Sequence, residues 1–275
     1  MSLISSMGVR AGSLAAVGLA MGLGFTMTTN ASAGSAREVL GGLQNWKLNG
    51  YTGTLRVGND DNGLDYRDSA SKNDSHYFFD RGSWAVFRCY AGNPTSGGSS
   101  NPRSELRELT SNGQNDIFWD GTNSSEDSMK FRVRIDDLPP SGKICFAQIH
   151  AGSDSDFDDV IRVQVEGDEG QNRGSVKLRI LGYVTEELEG GGRTIDFPMR
   201  MDTGYSFELT MRNRVVRLYE TNSRGNRQRT LYTSGSVNSK RNYFKVGCYL
   251  QSTRSNHHDS RVYGQTRIKN LSVKH

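Results

Sequence analysis

Alternation of apolar and polar positions runs through most of the chain. Between Met129 and Ile135 it sets Lys130, Arg132 and Arg134 against Phe131, Val133 and Ile135, until Asp136-Asp137-Leu138-Pro139-Pro140 ends the run. Successive side chains of an extended strand point to opposite faces, so this segment reads as a half-buried strand. The same period returns at Trp84 to Tyr90, Val160 to Val165, Ser175 to Ile180, Thr203 to Met211, Arg214 to Tyr219 and Arg229 to Tyr232. Glu38 to Leu48 gives an opening turn and a strand with Trp46 and Leu48 on one face, and Val262 to Val273 reads as a closing strand pair. Asp80-Arg81-Gly82 between Tyr77-Phe78-Phe79 and Trp84 signals a hairpin, and Gly-rich turns stand at Glu189 to Gly192 and Ser223 to Asn226. No long helical period competes. The pattern predicts an all-β chain: a β-jelly roll sandwich of two antiparallel sheets with a concave groove suited to an extended polymer.

Three stretches exceed what a plain strand needs. In Tyr243-Phe244-Lys245-Val246-Gly247-Cys248-Tyr249-Leu250-Gln251, one face carries Phe244, Val246, Cys248 and Leu250. The other carries Tyr243, Lys245, Gly247, Tyr249 and Gln251, where water would be satisfied by smaller polar groups. In Arg103-Ser104-Glu105-Leu106-Arg107, two guanidiniums flank a carboxylate on one face; a surface strand with cross-strand ion pairs is the plain alternative. Lys143 to His150 is nearly all apolar, a central strand, yet ends with Gln148 and His150 on a common face. A lone His at a strand end is usually an ordinary hydrogen-bonded residue; beside the other two stretches it becomes a candidate base.

Composition narrows the partners. Lys and Arg number 34 against 30 Asp and Glu, with no basic block of the kind that tracks nucleic acid, so neither nucleic acid nor membrane is expected and an acidic polymer suits better. Residues 1–33 read as a signal peptide: Arg10, the uncharged run Ser13 to Met27, then Ala31-Ser32-Ala33 before the cut. A secreted single domain of residues 34–275, a monomer, is the expectation. Cys89, Cys145 and Cys248 each alternate onto the apolar side of their strands and read as buried thiols, though a secreted chain permits one disulfide. Asp154 to Asp159 begins like a calcium loop but has Asp159 at the sixth position and Val165 at the twelfth, so an acidic solvated loop is the better reading. Asn73, Asn123 and Asn270 head glycosylation acceptors, and His257-His258-Asp259 lacks a partner at metal-ligand spacing.

The order and wording of Arg103-Ser-Glu-Leu-Arg107, Gln148-Ile-His150 and Tyr243 to Gln251 closely resemble the alginate lyases of polysaccharide lyase family 7. Leu43-Gln-Asn-Trp-Lys-Leu48 is similar to that family's first strand, so the resemblance spans the mature chain. It implies cleavage of alginate by β-elimination, with Arg103, Gln148, His150 and Tyr249 as catalytic residues. Glu105, Arg107, Tyr243, Lys245 and Gln251 fall on positions that line the groove. Ile149 accompanies action on guluronate blocks in that family; Cys248 and Leu250 depart from its pattern.

The chemistry accounts for the residue types. Removing the C5 proton of a uronate requires its carboxylate to be neutralised, a task for Arg103 and Gln148 that needs neither metal nor cofactor. His150 is the expected base for guluronate and the Tyr249 phenol the acid for the C4 oxygen. In mannuronate the C5 proton lies on the opposite ring face, and Tyr249 is expected to serve as both base and acid. Lyase action on another uronan such as glucuronan, and a non-catalytic carbohydrate-binding module, are the alternatives. A glycoside hydrolase is disfavoured, because Glu105 between two guanidiniums is poorly placed as a general acid.

Overall fold

The computed structural model describes residues 35–50, 64–66, 76–93, 95, 99, 101–152, 156–253 and 261–275, with 64–66 as backbone alone. The expected signal peptide, Asn73, Asp154 and His257-His258-Asp259 lie outside the described residues. Two one-turn helices, α1 (Ala36–Val39) and α2 (Tyr183–Glu186), add to the expected strands. In chain order the strands are β1 (Trp46–Gly50), β2 (Leu64–Tyr66), β3 (Phe78–Arg81), β4 (Trp84–Tyr90), β5 (Arg103–Glu108), β6 (Asp127–Asp137), β7 (Lys143–Ala151) and β8 (Asp159–Glu166). They continue as β9 (Lys177–Leu181), β10 (Arg193–Ile195), β11 (Tyr205–Arg212), β12 (Val215–Thr221), β13 (Arg227–Thr233), β14 (Asn242–Leu250) and β15 (Tyr263–Lys274).

These strands form two antiparallel sheets. One has eight strands in the order β10-β9-β8-β7-β14-β5-β1-β2, the other seven in the order β13-β12-β11-β6-β15-β4-β3. The hairpin signalled by Asp80-Arg81-Gly82 is β3–β4. The closing strand pair is corrected to one twelve-residue strand, β15. Asn270 has a left-handed φ of 55°, which Asn tolerates, and the register with β6 shifts between Lys269 and Ser272. The chain therefore bulges there instead of reversing.

Apolar side chains of both sheets fill the layer between them. Phe146 from the eight-stranded sheet meets Phe131 and Phe207 of the seven-stranded sheet with ring centroids 6.2 and 6.1 Å away. All three are buried, and truncating such a Phe to Ala costs about 3–5 kcal/mol.

A bulge in the middle of this sheet departs from simple alternation. Ala147 pairs with Val246 and Cys145 with Tyr249, so β14 spends two residues where β7 spends one; against β8, Phe146 has no partner at all. Phe146 consequently turns inward beside Ala147. Cys145 then lies opposite Tyr249 and Gln164, beneath the groove and not on the core side. Gly247 makes this possible: at φ 150° its carbonyl accepts the Thr266 hydroxyl of the facing sheet at 3.0 Å, and a Cβ there would stand 2.6 Å from the Ser104 carbonyl oxygen. Only glycine fits. Leu250 packs inward without conflict, because β15 offers Gly264, whose Cβ would stand 2.7 Å from Leu250 Cδ2.

Candidate active site

Strands β5, β14 and β7 lie side by side in the eight-stranded sheet and carry the three singled-out stretches. Register fixes the neighbours: Arg103 faces Tyr249, Glu105 faces Gly247, and Lys245 stands between Arg107 and Gln148. Tyr243 faces His150. Tyr243 and Tyr249 are six residues apart, about 20 Å of strand, room for several sugar rings.

Glu105 is the hub. Because Gly247 opposite it has no side chain, its carboxylate reaches across β14. One oxygen accepts the Gln148 amide; the other pairs with Lys245 Nζ at 2.6 Å and Arg103 at 3.5 Å. Glu105 is fully buried and Lys245 is 3% exposed. Burial, seconded by Arg103, pulls the Lys245 pKa down to about 8, although Glu105 opposes the shift. An ammonium so placed is still charged at neutral pH but has little margin.

His150 is poised as a base by geometry. A carbonyl oxygen only accepts, so the 2.8 Å contact between Nδ1 and the Ala151 carbonyl makes Nδ1 the protonated nitrogen. Nε2 keeps its lone pair. The ring stacks on Tyr243 with centroids 5.0 Å apart and planes 16° apart. Burial first, then the charge of Lys245, push the His150 pKa down to about 3, so the imidazole is neutral throughout the ordinary pH range.

Two guanidiniums lie on two phenols. Arg103 sits 4.1 Å from the Tyr249 ring centroid and Arg107 3.9 Å from that of Tyr243. Arg103 also donates to the Ser99 hydroxyl at 2.6 Å, and Ser99 lies 3.5 Å from the Tyr249 hydroxyl. The Arg103 Nε–H is buried without a partner, a donor left for a ligand oxygen. Among the described residues, Lys47, Arg103, Arg107 and Lys245 line up beside the carboxylates Glu105 and Asp116, an array of cations that attracts a polyanion.

Comparison with known proteins places the chain in a family. The alginate lyase family model matches residues 42–275. The chain belongs to the alginate lyases of polysaccharide lyase family 7. AlyA1, a marine family 7 alginate lyase from Zobellia galactanivorans, is 36% identical, with a TM-score of 0.71 over 88% of this chain and 99% of its own. AlgAT5 of the same family is 28% identical, with a TM-score of 0.69 over 88% of this chain and 98% of its own. A variant of the family 7 lyase A1-II′, solved in complex with substrate (GGMG), shares the fold at 21% identity and a TM-score of 0.64, covering 85% of this chain and 93% of its own. No curated protein matches the chain.

In this family 7 lyase the fold brings Arg103, Glu105, Arg107, Gln148, His150, Tyr243, Lys245 and Tyr249 onto one continuous strip. Gln251 stands just past β14, its amide donating to the Leu250 carbonyl at 3.1 Å. The flanking of Glu105 by two guanidiniums is corrected: Arg107 pairs with Asp116 at 2.6 Å, and Lys245 takes its place at Glu105. Glu105 and Gln148 are occluded, 0% and 1% exposed, so Glu105 organises the cations from beneath. Cys145 is corrected from core to groove floor by the Phe146 bulge, and burial pushes its thiol pKa up. All three cysteines are free and buried.

Several contributors escaped the sequence pattern. Ser99 comes from the Gly/Ser-rich loop after β4. Asp116 and the exposed Phe118 come from the connection after β5; Phe118 meets Tyr243 edge-on at 5.9 Å. Asp159, expected in a solvated loop, turns toward Arg162 at 2.8 Å.

Proposed function

We propose that the protein is exported by its N-terminal 33 residues and cleaves alginate by β-elimination, favouring guluronate-containing blocks. The observation that carries this reading is the His150 tautomer: a neutral imidazole with Nε2 unprotonated, beside cations that attract a uronate carboxylate. Arg103, with its unpartnered Nε–H, neutralises that carboxylate. Gln148 assists with the amide hydrogen that Glu105 does not take.

Nε2 of His150 then takes the C5 proton of guluronate. The electrons form the C4–C5 double bond, the C4–O bond breaks, and the Tyr249 phenol protonates the departing oxygen. A carboxylate bound beside His150 raises the basicity of an imidazole that the empty site holds weakly basic, so base strength is greatest when substrate is present. For mannuronate, Tyr249 serves as both base and acid. The guluronate preference rests on the resemblance of Gln148-Ile149-His150 to family members that act on guluronate blocks; Ile149 itself is fully buried, with Ile161 and Phe244 as cross-strand neighbours.

The deciding experiment is ultraviolet absorbance of the protein incubated separately with polyguluronate, polymannuronate and glucuronan, because elimination creates a conjugated double bond and hydrolysis does not. The fastest rise is expected on polyguluronate. A flat trace on both alginate blocks would refute the reading. N-terminal sequencing of protein recovered from the medium is expected to begin at Gly34; an intact Met1 there would remove the export assignment.

A further inference from the structure

The outer face of the seven-stranded sheet, turned away from the groove, carries a second cluster. Trp84 opens β4 immediately after the β3–β4 turn and points outward, since Ala85 and Phe87 are buried inward. Lys269 of β15 places its ammonium 4.3 Å from the Trp84 ring centroid. Arg132 of β6 is the cross-strand partner of Lys269 and donates to the Gly204 carbonyl at 2.9 Å. Gly204 lets the three meet: a Cβ there would stand 2.7 Å from Arg132 Nε and 3.0 Å from Trp84 Cη2. All three side chains are half-buried.

The charges here are arranged unlike their neighbours. Arg134 and Arg267 share Asp136, and Lys130 lies 3.8 Å from Glu208. Among the described residues, neither Arg132 nor Lys269 has a carboxylate within ion-pair distance. Like charges directly opposite on neighbouring strands destabilise a sheet, and the Lys269 pKa is lowered by burial and then by Arg132. The Arg132 Nε–H is buried without a partner. Lys269 gains a cation–π contact with Trp84 and a 3.4 Å hydrogen bond to Ser83 Oγ, but these leave the repulsion from Arg132 in place; a bound anion with an apolar ring face relieves that repulsion and covers the indole.

We propose that Trp84, Arg132 and Lys269 form a second, non-catalytic binding site for an acidic polysaccharide chain, with a sugar ring against the indole and a uronate carboxylate between the two cations. That the occupant is the polymer cleaved in the groove rests on the function proposed above. Asp136, Asp202 and Glu208 interleave with the surrounding cations, which fits one charge per sugar better than a nucleic acid with a charge every ~1.7 Å. The two sites lie on opposite faces of the sandwich. Only a long chain can reach both, and for such a chain the second contact is intramolecular.

The test compares the protein with a Lys269→Ala/Arg132→Gln double variant and with Trp84→Leu. Each is also combined with His150→Asn and Tyr249→Phe, so that polymer binding is read without cleavage of either block. Expected are an approximately tenfold weaker affinity for polymeric alginate, a shallower salt dependence of that affinity in the double variant, and an unchanged kcat/KM on short oligosaccharides. Thermal melting in parallel identifies a variant that has lost its fold, and Lys269→Glu, at an exposed ammonium, then stands in for it. Unchanged polymer affinity in folded variants would overturn the proposal, as would an equal loss on short oligosaccharides. Equally tight, Lys269-dependent binding of duplex DNA would overturn it in favour of a general polyanion surface. Failure of the function reading appears separately, as absence of elimination by the unaltered protein.

Discussion

Strands β5 and β6 carry the same kind of alternation and live in different worlds. In β6 the polar positions Lys130, Arg132 and Arg134 are half-exposed while Phe131, Val133 and Ile135 are buried. In β5 both faces are closed: Ser104 and Leu106 face the core, and Glu105 and Arg107 are buried on the other side as well. The difference lies in what covers each sheet. Strand β5 lies inside its sheet between β14 and β1, whose Lys245 and Lys47 close over its polar face, whereas the outer face of β6 meets water. Lys130, Arg132 and Arg134 are partly solvated, whereas Glu105 and Arg107 depend on their partners, which is why the face of β5 can support a reacting group.

The comparison can be broken most forcefully at the reacting end of the groove. His150→Asn is expected to lower kcat on polyguluronate by about a hundred- to ten-thousand-fold while sparing polymannuronate. Equal losses on both blocks in steady-state kinetics would refute the division of labour between His150 and Tyr249. Glu105→Ala comes next: it leaves Lys245 and Arg103 buried without their counter-ion, and about 3–5 kcal/mol of stability is expected to go, read by urea denaturation. The matching change on the outer sheet, Arg132→Ala, is expected to stay within about 0.5 kcal/mol. Similar costs for the two would show that the faces are not different after all.

Titration sharpens the contrast further. Because His150 is already neutral above about pH 3, the acid limb of kcat/KM is expected to lack the midpoint near 6.5 of an ordinary imidazole. Lys245 loses its proton as pH rises through about 8, so KM for alginate is expected to climb there. A Lys245→Arg variant keeps its charge and is expected to abolish that climb. An ordinary imidazole midpoint in the acid limb would instead place the base in a solvated setting.

A more local effect is expected at His275. The His275 ring bridges Glu108 at 2.8 Å and Asp127 at 2.9 Å, so both nitrogens donate. Burial alone would lower its pKa; the hydrogen bonds to Asp127 and Glu108 overcome that and raise it to about 9. The folded pKa lies above the unfolded one, so the stabilisation is complete below about pH 6.5 and is lost as pH rises through about 9. Thermal melting between pH 6 and 10 is expected to fall more steeply for the protein than for His275→Gln. Glu108 also accepts the Phe244 N–H at 3.1 Å, which ties this latch to the strand bearing Tyr243 and Lys245.

Alternation, hairpin signals and the three polar stretches by themselves determined the sandwich, its strands and most of the residues on the groove face, because a period of two is written directly into side-chain direction. They could not show which strands would be neighbours. That Lys245, 95 residues beyond His150 and 140 beyond Glu105, becomes the partner of Glu105 is a consequence of β14 lying between β5 and β7. Nor could alternation foresee the bulge that sends Phe146 inward and Cys145 under the groove, since a bulge exists only where two paired strands differ by a residue. Charge and proton positions depended on the tertiary structure for the same reason: a pKa is set by burial and by partners that the chain brings together only once folded.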